Sequence, residues 1–250
     1  MTKIGIIGGS GLDDPKIFKS SKNIEIKTPF GNPSSTIKEG LIKDEKVFII
    51  ARHGRDHSIT PSNVNYRANI WALKDIGCQY ILASTAVGSL REEIKPGDIV
   101  LPNQFIDFTK NRDSTFFDNQ EVIHTPMADP FSNDMINIIG SVTESLKIRF
   151  HENKTVITIE GPRFSTKSES LMFRSWGADI INMSSCPEAA LAKELGLHYA
   201  SIAMATDYDC WKEDEEEVTW ELVQKIMKEN ANNVLSIFEK VVPLLRNITP

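Results

Sequence analysis

Short apolar runs recur along the chain, and each run is followed by glycine or by polar residues. Runs of this kind, rich in isoleucine, valine and alanine, are typical of strands that are buried on both faces of a sheet. We predict such strands at residues 3–7, 47–51, 80–85, 155–159, 180–185 and 199–205, and a short strand that ends at Leu101.

Between these runs, apolar residues recur at three- and four-residue steps, which is the spacing of an amphipathic helix. We predict helices at residues 63–78, 133–146 and 218–245, and one that follows Ser185 and ends near Leu195. Residues 22–46 predict hairpins, and residues 103–131 predict a long functional or subunit-contacting loop. The alternation of strands and helices indicates an α/β fold in a single domain, residues 1–250.

The run at residues 199–205 ends in Thr206-Asp207-Tyr208-Asp209, where two carboxylates lie two residues apart. In an open α/β sheet the ligand crevice lies beyond the carboxyl ends of the strands. Asp207 and Asp209 are therefore expected at a site if this strand is parallel to its neighbours. A polar turn after a core strand is the alternative interpretation.

Three other predicted strands end in groups suited to an anion. Gly8-Gly9-Ser10-Gly11 is a glycine turn with a hydroxyl, and it lacks the third glycine of a dinucleotide fingerprint. The next strand ends in Arg52-His53, which combines a cationic donor fork with an imidazole, and the third ends in Thr85-Ala86. A purely geometric turn, an Arg–carboxylate pair and a structural histidine are the alternatives.

Two later strand ends extend this pattern. Ser184 lies before a predicted helix and could face an anion, whereas Ser185 fits a helix cap. Phe164 follows the strand at residues 155–159 and could stack on a flat ligand, although ordinary packing is the alternative.

Composition excludes several classes of protein. The chain has 250 residues, 40% hydrophobic and 25% charged, with a net charge of −6, and it lacks the basic stripe of a nucleic-acid-binding protein. No apolar run reaches the ~18 residues that span a bilayer, and the N-terminus is too short for a signal peptide. Three widely spaced cysteines fit neither a metal site nor a disulfide framework. We therefore expect a cytoplasmic globular protein with no membrane or nucleic-acid partner.

Several segments resemble one family, in order along nearly the whole chain. They are IGGSGLDDP, TPFGNP, ARHGRDH, NYRANIWALK, GSLREEIKPGDIV, HTPMADPF, ITIEGPRF, WGADIINMSS and ASIAMATDYDCWKE. The sequence resembles the trimeric purine nucleoside phosphorylase superfamily, and within it the 5′-methylthioadenosine phosphorylases. The resemblance implies a twisted, mixed central sheet flanked by helices.

The resemblance also implies roles for individual residues. Phosphate would be bound by Ser10, Arg52, His53, Thr85, Ala86 and Ser184. The ribose would meet Met183, and the purine would contact Phe164, Ser165, Ile181, Thr206, Asp207 and Asp209. The 5′ pocket would involve Trp220, Val223 and Gln224, together with His124 from a neighbouring subunit of a homotrimer or a dimer of trimers. No metal or organic cofactor is implied, and phosphate is a co-substrate.

The implied reaction is phosphorolysis of 5′-methylthioadenosine to adenine and 5-methylthioribose 1-phosphate, with Asp207, Asp209 and Ser184 as catalytic residues. Departure of the purine builds negative charge on the base, so an acid at N7 stabilises the transition state. We assign that acid to Asp207. A carboxylate here also favours a 6-amino purine over a 6-oxo purine, and the family's 6-oxo enzymes carry Asn at this position.

The expected 5′ pocket departs from the family. Small aliphatic residues line it in the relatives, whereas this chain has Trp220 and Gln224 on the same helix face as Val223. An adenosine or purine nucleoside phosphorylase with broader 5′ specificity is therefore an alternative. A non-catalytic purine-binding protein is an alternative from another class.

Overall fold

The computed structural model describes residues 2–8, 21–118, 122–213 and 219–248. Nine strands in these ranges form one hydrogen-bonded sheet. They are β1 (Lys3–Gly8), β2 (Ser21–Ile24), β3 (Ile37–Ile42), β4 (Glu45–Ala51), β5 (Tyr80–Ser89), β6 (Ile99–Phe108), β7 (Phe150–Ile159), β8 (Ile180–Asn182) and β9 (His198–Asp207).

The sheet is mixed, with the order β2-β3-β4-β1-β5-β8-β7-β6-β9 and an additional pairing between β5 and β9. Strands β4, β1, β5 and β9 are parallel to one another, whereas β5 with β8, and β6 with β9, are antiparallel. The pairings from β5 through β8, β7, β6 and β9 return to β5, so this part of the sheet closes on itself. The predicted α/β class with a mixed sheet is confirmed.

Five α-helices lie within the described residues: α1 (Tyr66–Ile76), α2 (Asn133–Ser145), α3 (Lys167–Ser175), α4 (Ser185–Glu194) and α5 (Trp220–Leu245). Polar side chains cap four of their N-termini, as expected for groups that satisfy the first backbone N–H donors. The caps are Asn65, Ser132, Thr166 and Thr219. A further 3₁₀ turn covers Pro61–Asn63.

The core lies along the central parallel strands. Ile7 in β1, Ile50 in β4, Leu82 in β5 and Ile202 in β9 are fully buried. Helices α2 and α5 pack on each other and on β9, and α1 packs on α4, which also contacts β9. No helix in the described ranges has the length and apolar character required to cross a membrane.

Several predicted boundaries are wrong. The loop predicted from residue 103 begins only after β6, which continues to Phe108. Strand β8 ends at Asn182 instead of residue 185, because helix α4 already begins at Ser185. Helix α3 was not predicted at all. The predicted start of the last helix at residue 218, and the glycine turn after Gly8, lie outside the described residues.

Candidate active site

A cleft opens at the carboxyl ends of β4, β5 and β9, and the turns after β7 and β8 and the start of α5 complete its walls. These parallel strands end at the same edge of the sheet, so their terminal side chains meet. Most of the predicted site residues line this cleft: Arg52, His53, Thr85, Ala86, Phe164, Ser165, Ile181, Met183, Ser184, Thr206, Asp207, Asp209, Trp220 and Val223.

Three predicted residues are not found there. Ser10 lies outside the described residues. Gln224 is exposed and does not line the cleft, although Val223 beside it does. His124 is exposed on the segment after β6 and lines a separate surface hollow with Phe117. A role for His124 in a neighbouring subunit remains a prediction.

Arg52 lies at one end of the cleft with a fully buried guanidinium. Its Nε and Nη2 atoms each lie 2.8 Å from a carboxylate oxygen of Glu188, and Nη1 donates to the carbonyl of Ser84 at 2.8 Å. Burial lowers the pKa of Arg52, but the charge and hydrogen bonds of Glu188 outweigh this effect, so the pKa rises and the group stays charged. Arg52 therefore forms a structural Arg–carboxylate pair and also lines the cleft.

Two hydroxyls meet beside Arg52. Strand β8 runs antiparallel to β5 with Gly88 opposite Ile181, so continuation of this register places Ser184 opposite Thr85. Their oxygens lie 3.1 Å apart. Ser184 occupies the N-cap position of α4 without capping it, so its hydroxyl faces Thr85 instead. Asn182 supports this arrangement by donating to Thr85 Oγ1 at 3.3 Å.

His53 completes this end of the cleft without adding charge. Its Nδ1 lies 2.9 Å from the carbonyl of Ile59, and because a carbonyl only accepts, Nδ1 carries a proton. Burial, followed by the charge of Arg52, lowers the pKa of His53 to about 4. At neutral pH the ring is therefore neutral and its Nε2 is an acceptor. The donors here are the remaining N–H groups of Arg52 and the hydroxyl of Ser184, whereas the hydroxyl hydrogen of Thr85 is donated to the Ala86 carbonyl at 3.1 Å and must turn from it to reach a ligand.

Asp207 lies at the other end of the cleft and is 7% exposed. Its Oδ2 accepts from Thr206 Oγ1 at 2.6 Å, and its Oδ1 accepts from the backbone N–H of Asp209 at 2.7 Å. Burial raises the pKa of Asp207 to about 6, although both hydrogen bonds oppose the rise. A carboxyl group with this pKa exchanges protons near neutral pH and is suited to general acid catalysis.

Asp209 presents an unpaired acceptor beside Asp207. Its Oδ2 is buried without a well-formed hydrogen bond, and so are the hydroxyls of Ser165 and Ser170, although these two hydroxyls lie close enough to Asp209 to lower its pKa through weak hydrogen bonds. Burial raises the pKa of Asp209, and the nearby Ser165 and Ser170 offset this only in part. Buried unpaired polar atoms are rare in proteins, so these oxygens fit a polar ligand or bound water.

Gly88 in β5 allows the side chain of Asp207 to lie close to the backbone of the sheet. A Cβ atom at Gly88 would lie 3.0 Å from Asp207 Oδ1 and 3.0 Å from Ile181 Cγ2. The absence of a side chain therefore lets β5 approach both residues closely. Any larger residue would displace Asp207 or Ile181.

Aromatic rings form the outer wall. Phe164 is 40% exposed and borders the purine end predicted from the sequence. Trp220 stacks on His57 with ring centroids 5.0 Å apart, and His57 lies 4.8 Å from His53. Sequence reasoning missed His57, even though it belongs to the same histidine-rich strand end as His53.

The raised pKa of Asp207 predicts a pH-dependent stability. Its folded pKa lies above the ordinary value of 3.8, so ionisation destabilises the ligand-free protein as pH rises from 4 through 6. We expect Asp207→Asn to raise the free energy of unfolding by about 3 kcal/mol above pH 7, with no gain below pH 4. The titration of His53 acts in the opposite direction, but it is common to both proteins and cancels in the comparison.

Urea denaturation of both proteins at several pH values measures this difference. A stability difference that is the same at acidic and alkaline pH would contradict the raised pKa of Asp207.

No group of three histidine, cysteine, aspartate or glutamate side chains suited to a metal ion exists among the described residues. One end of the cleft presents hydroxyl and guanidinium donors, and the other end presents two buried carboxyls. Ile181, Met183 and Phe164 also line the cleft. Such a cleft suits an anion and a flat polar ring held side by side.

A sequence profile described as "Phosphorylase superfamily" matches residues 3–243. The chain belongs to this superfamily. The S-methyl-5′-thioadenosine phosphorylase of Danio rerio is 56% identical over 246 residues, covering 96% of this chain and 88% of the relative. The enzyme of the same name from Drosophila melanogaster is 52% identical over 240 residues, covering 94% and 82%. The family resemblance noted in the sequence is confirmed.

Solved structures of superfamily members share the fold. Methylthioadenosine phosphorylase from Schistosoma mansoni in complex with adenine superposes with a TM-score of 0.96 at 42% identity, covering 100% of this chain and 93% of that one. A point mutant of adenosine/methylthioadenosine phosphorylase from the same organism, in complex with methylthioadenosine, has a TM-score of 0.93 at 41% identity with the same coverage.

Proposed function

We propose that the protein catalyses the phosphorolysis of S-methyl-5′-thioadenosine to adenine and 5-methylthioribose 1-phosphate. The observation that carries this proposal is the placement of Arg52, Thr85 and Ser184 at one end of a cleft whose other end holds buried Asp207 and Asp209. The names of the relatives support the same substrate.

Phosphate would bind at the hydroxyl end. Thr85 and Ser184 donate hydroxyl hydrogens, Arg52 donates its remaining N–H groups, and neutral His53 accepts from a protonated phosphate oxygen. Ala86 and Ser10 would complete this site. The bound phosphate then lies close to C1′ of the ribose, beside Met183, and needs no further activation because it is already an anion.

The purine would lie against Phe164 and Ile181, with its polar edge towards the carboxyls. One oxygen of the Asp207 carboxyl would accept from the 6-amino group while the other holds the proton for N7, and the buried Oδ2 of Asp209 would lie beside them. A 6-oxo group cannot replace the amine as a donor to Asp207. As a phosphate oxygen bonds to C1′, the C1′–N9 bond breaks and its electron pair passes to the purine. Asp207 donates its proton to N7, so adenine leaves as a neutral molecule.

The oligomeric state and the cellular location of the enzyme are also part of this proposal. We place the enzyme in the cytoplasm as a homotrimer or dimer of trimers, with His124 of one subunit approaching the 5′ pocket of the next. Exposure of His124 and of Val122, which is 72% exposed, supports a covered position for this segment in an assembly. No cofactor other than the co-substrate phosphate is required by the proposed chemistry.

Phosphate dependence tests the proposal. The purified protein should release adenine from methylthioadenosine only when phosphate is present, and 5-methylthioribose 1-phosphate should accumulate in equal amount. Sulfate in place of phosphate is the control for ionic strength. Release in the absence of phosphate would indicate a hydrolase, and binding without release would indicate a purine-binding protein.

A broader 5′ specificity is the second function to consider, because Trp220 and the polar ring of His57 stack at the cleft wall. We expect methylthioadenosine to remain the main substrate, with a smaller preference over adenosine than an aliphatic pocket gives. Trp220→Val should raise the ratio of kcat/KM for methylthioadenosine to that for adenosine by about tenfold, the scale of one apolar group in a pocket.

Gln224→Leu is the matched control on the same helix, because Gln224 is exposed and outside the cleft lining. We expect it to leave the ratio unchanged. Equal ratios in the wild type and Trp220→Val would exclude Trp220 from 5′ selection.

A further inference from the structure

Arg112 is a buried cation outside the cleft lining, and it follows β6 in a polar segment. Its side chain is 2% exposed. Nη1 lies 2.8 Å from the carbonyl oxygen of Met183, 2.6 Å from that of Cys186 and 3.0 Å from Tyr66 Oη. Nη2 donates to the carbonyl of Glu160 at 2.7 Å, and Nε donates to the Glu160 carboxylate at 3.1 Å. Nη2 also lies 3.4 Å from the carbonyl oxygen of Ile159, so one guanidinium contacts five residues.

These acceptors belong to two segments that both contribute residues to the cleft. Met183 lies in the turn from β8 into α4, which carries Ser184, and Cys186 is the second residue of α4. Glu160 directly follows β7 and begins the turn that carries Phe164 and Ser165. The first turn therefore serves the proposed phosphate and ribose, and the second serves the proposed purine. Arg112 is bonded to the backbone of both.

The two turns also touch each other beside Arg112. Gly161 has φ +70°, and a Cβ atom there would lie 2.6 Å from Met183 Sδ. Tyr66 at the start of α1 donates to the Met183 carbonyl at 3.3 Å, and the Arg112 guanidinium lies over its ring. Contact this close leaves little freedom for one turn to move without the other.

The charge of Arg112 is balanced locally. The Glu160 carboxylate also accepts from the backbone N–H groups of Lys110 and Asn111 at 2.6 and 3.0 Å. The ion pair therefore fixes the start of the segment after β6 to the end of β7.

We propose that Arg112 is a positioning residue that holds the Met183–Ser184 turn in register with the Glu160–Ser165 turn, and thereby sets the distance between bound phosphate and bound purine nucleoside. This inference rests on the proposed function. Reaction between two bound partners depends steeply on their separation, and an error of about 1 Å costs about 100-fold in rate.

Arg67 provides a matched control. It lies on α1, pairs with Asp113 and Asp118 of the same segment and lies over the ring of Phe30, and its described hydrogen bonds and ion pairs all go to that segment and not to either turn. Arg112→Met and Arg67→Met therefore each remove one arginine anchor of this segment, and only the first releases the turns.

Steady-state kinetics of both variants tests the proposal. We expect Arg112→Met to lose about 100-fold in kcat/KM, with a lower kcat and a higher KM for phosphate, while Arg67→Met stays within about twofold of wild type. Methylguanidinium added to Arg112→Ala should restore part of the activity. Wild-type kinetics in a folded Arg112→Met, or equal losses in both variants, would overturn the proposal.

Arg112→Lys covers the case in which Arg112→Met does not fold. Lysine keeps the charge next to Glu160 but has no planar fork to span both turns, so we expect a raised KM for phosphate in a folded protein. An unchanged KM would overturn the proposal. If wild type released no adenine, the proposed function would fail, and calorimetric binding of adenine and phosphate to the same variants would still test the positioning role.

Discussion

Asp207→Asn is expected to lower phosphorolysis of methylthioadenosine by about 100-fold or more, because general acid catalysis contributes on this scale and an amide has no proton of suitable pKa to give to N7. The same substitution should improve relative activity on inosine, since the amide can donate to a 6-oxo group where the carboxylate cannot. The two changes together amount to a change of base preference and not a general loss of activity.

Measurement of kcat/KM on methylthioadenosine, adenosine and inosine separates these effects. Asp98→Asn is the matched control, because Asp98 is also buried, at 5% exposure, yet lies at the start of β6 and pairs with His151. It should leave the base preference unchanged. If Asp207→Asn kept both the wild-type rate and the preference for 6-amino purines, Asp207 would be a polar turn residue without a catalytic role.

The gain in stability expected for Asp207→Asn and its loss of activity have one cause. Burial that raises the pKa of Asp207 to about 6 makes the carboxyl useful as an acid, and the same burial destabilises the ionised form. Thr206 and the N–H of Asp209 limit this cost through their hydrogen bonds.

Strand ends were the part of the site that sequence could predict. An apolar run predicts a buried strand, and the residue that follows the strand lies at the edge of the sheet. Arg52 and Asp207 lie at the ends of such runs, whereas the predicted strand end at Thr85 is wrong, because β5 continues to Ser89. All three residues line the cleft because β4, β5 and β9 are parallel. The contact between Ser184 and Thr85 could not be predicted in this way, because it depends on the antiparallel pairing of β8 with β5.

Partners that lie far away in sequence were not predictable. Glu188 fits the first turn of any helix, and nothing in its local sequence indicates that it pairs with Arg52, 136 residues away. Arg112 lies in a polar stretch without periodicity, so its burial between two turns is a tertiary property. Helical spacing placed Gln224 beside Trp220, but the cleft reaches only the first turn of α5, where Trp220 and Val223 lie.

The end of β6 and the whole of helix α3 were not predicted, because their local sequences give weak signals. Strand β6 pairs with β7 over its whole length, but only its first residues also pair with β9, and the residues after Pro102 are partly exposed. A half-exposed strand gives a weaker apolar signal than a buried one. Helix α3 is short and polar, and it is defined mainly by the capping box of Thr166 and Glu169.

The second large effect is expected at Arg52, and the pairing with Glu188 decides how it must be measured. Arg52→Ala alone would leave a fully buried carboxylate whose remaining side-chain partner is the hydroxyl of Tyr199, 2.8 Å away. Removing one partner of a buried ion pair costs about 3–5 kcal/mol of stability. Loss of activity in that variant would therefore not distinguish loss of phosphate binding from unfolding.

A double variant, Arg52→Met with Glu188→Gln, removes both charges and keeps an acceptor for Tyr199. We expect it to fold and to show a KM for phosphate raised by about 10–100-fold, since a hydrogen bond to a charged group contributes about 1.5–3 kcal/mol. Arg91→Met with Asp179→Asn removes an ion pair outside the cleft and is the control. A wild-type KM for phosphate in the Arg52 double variant would show that the Arg52–Glu188 pair has a purely structural role, because the cleft would then bind its anion without Arg52.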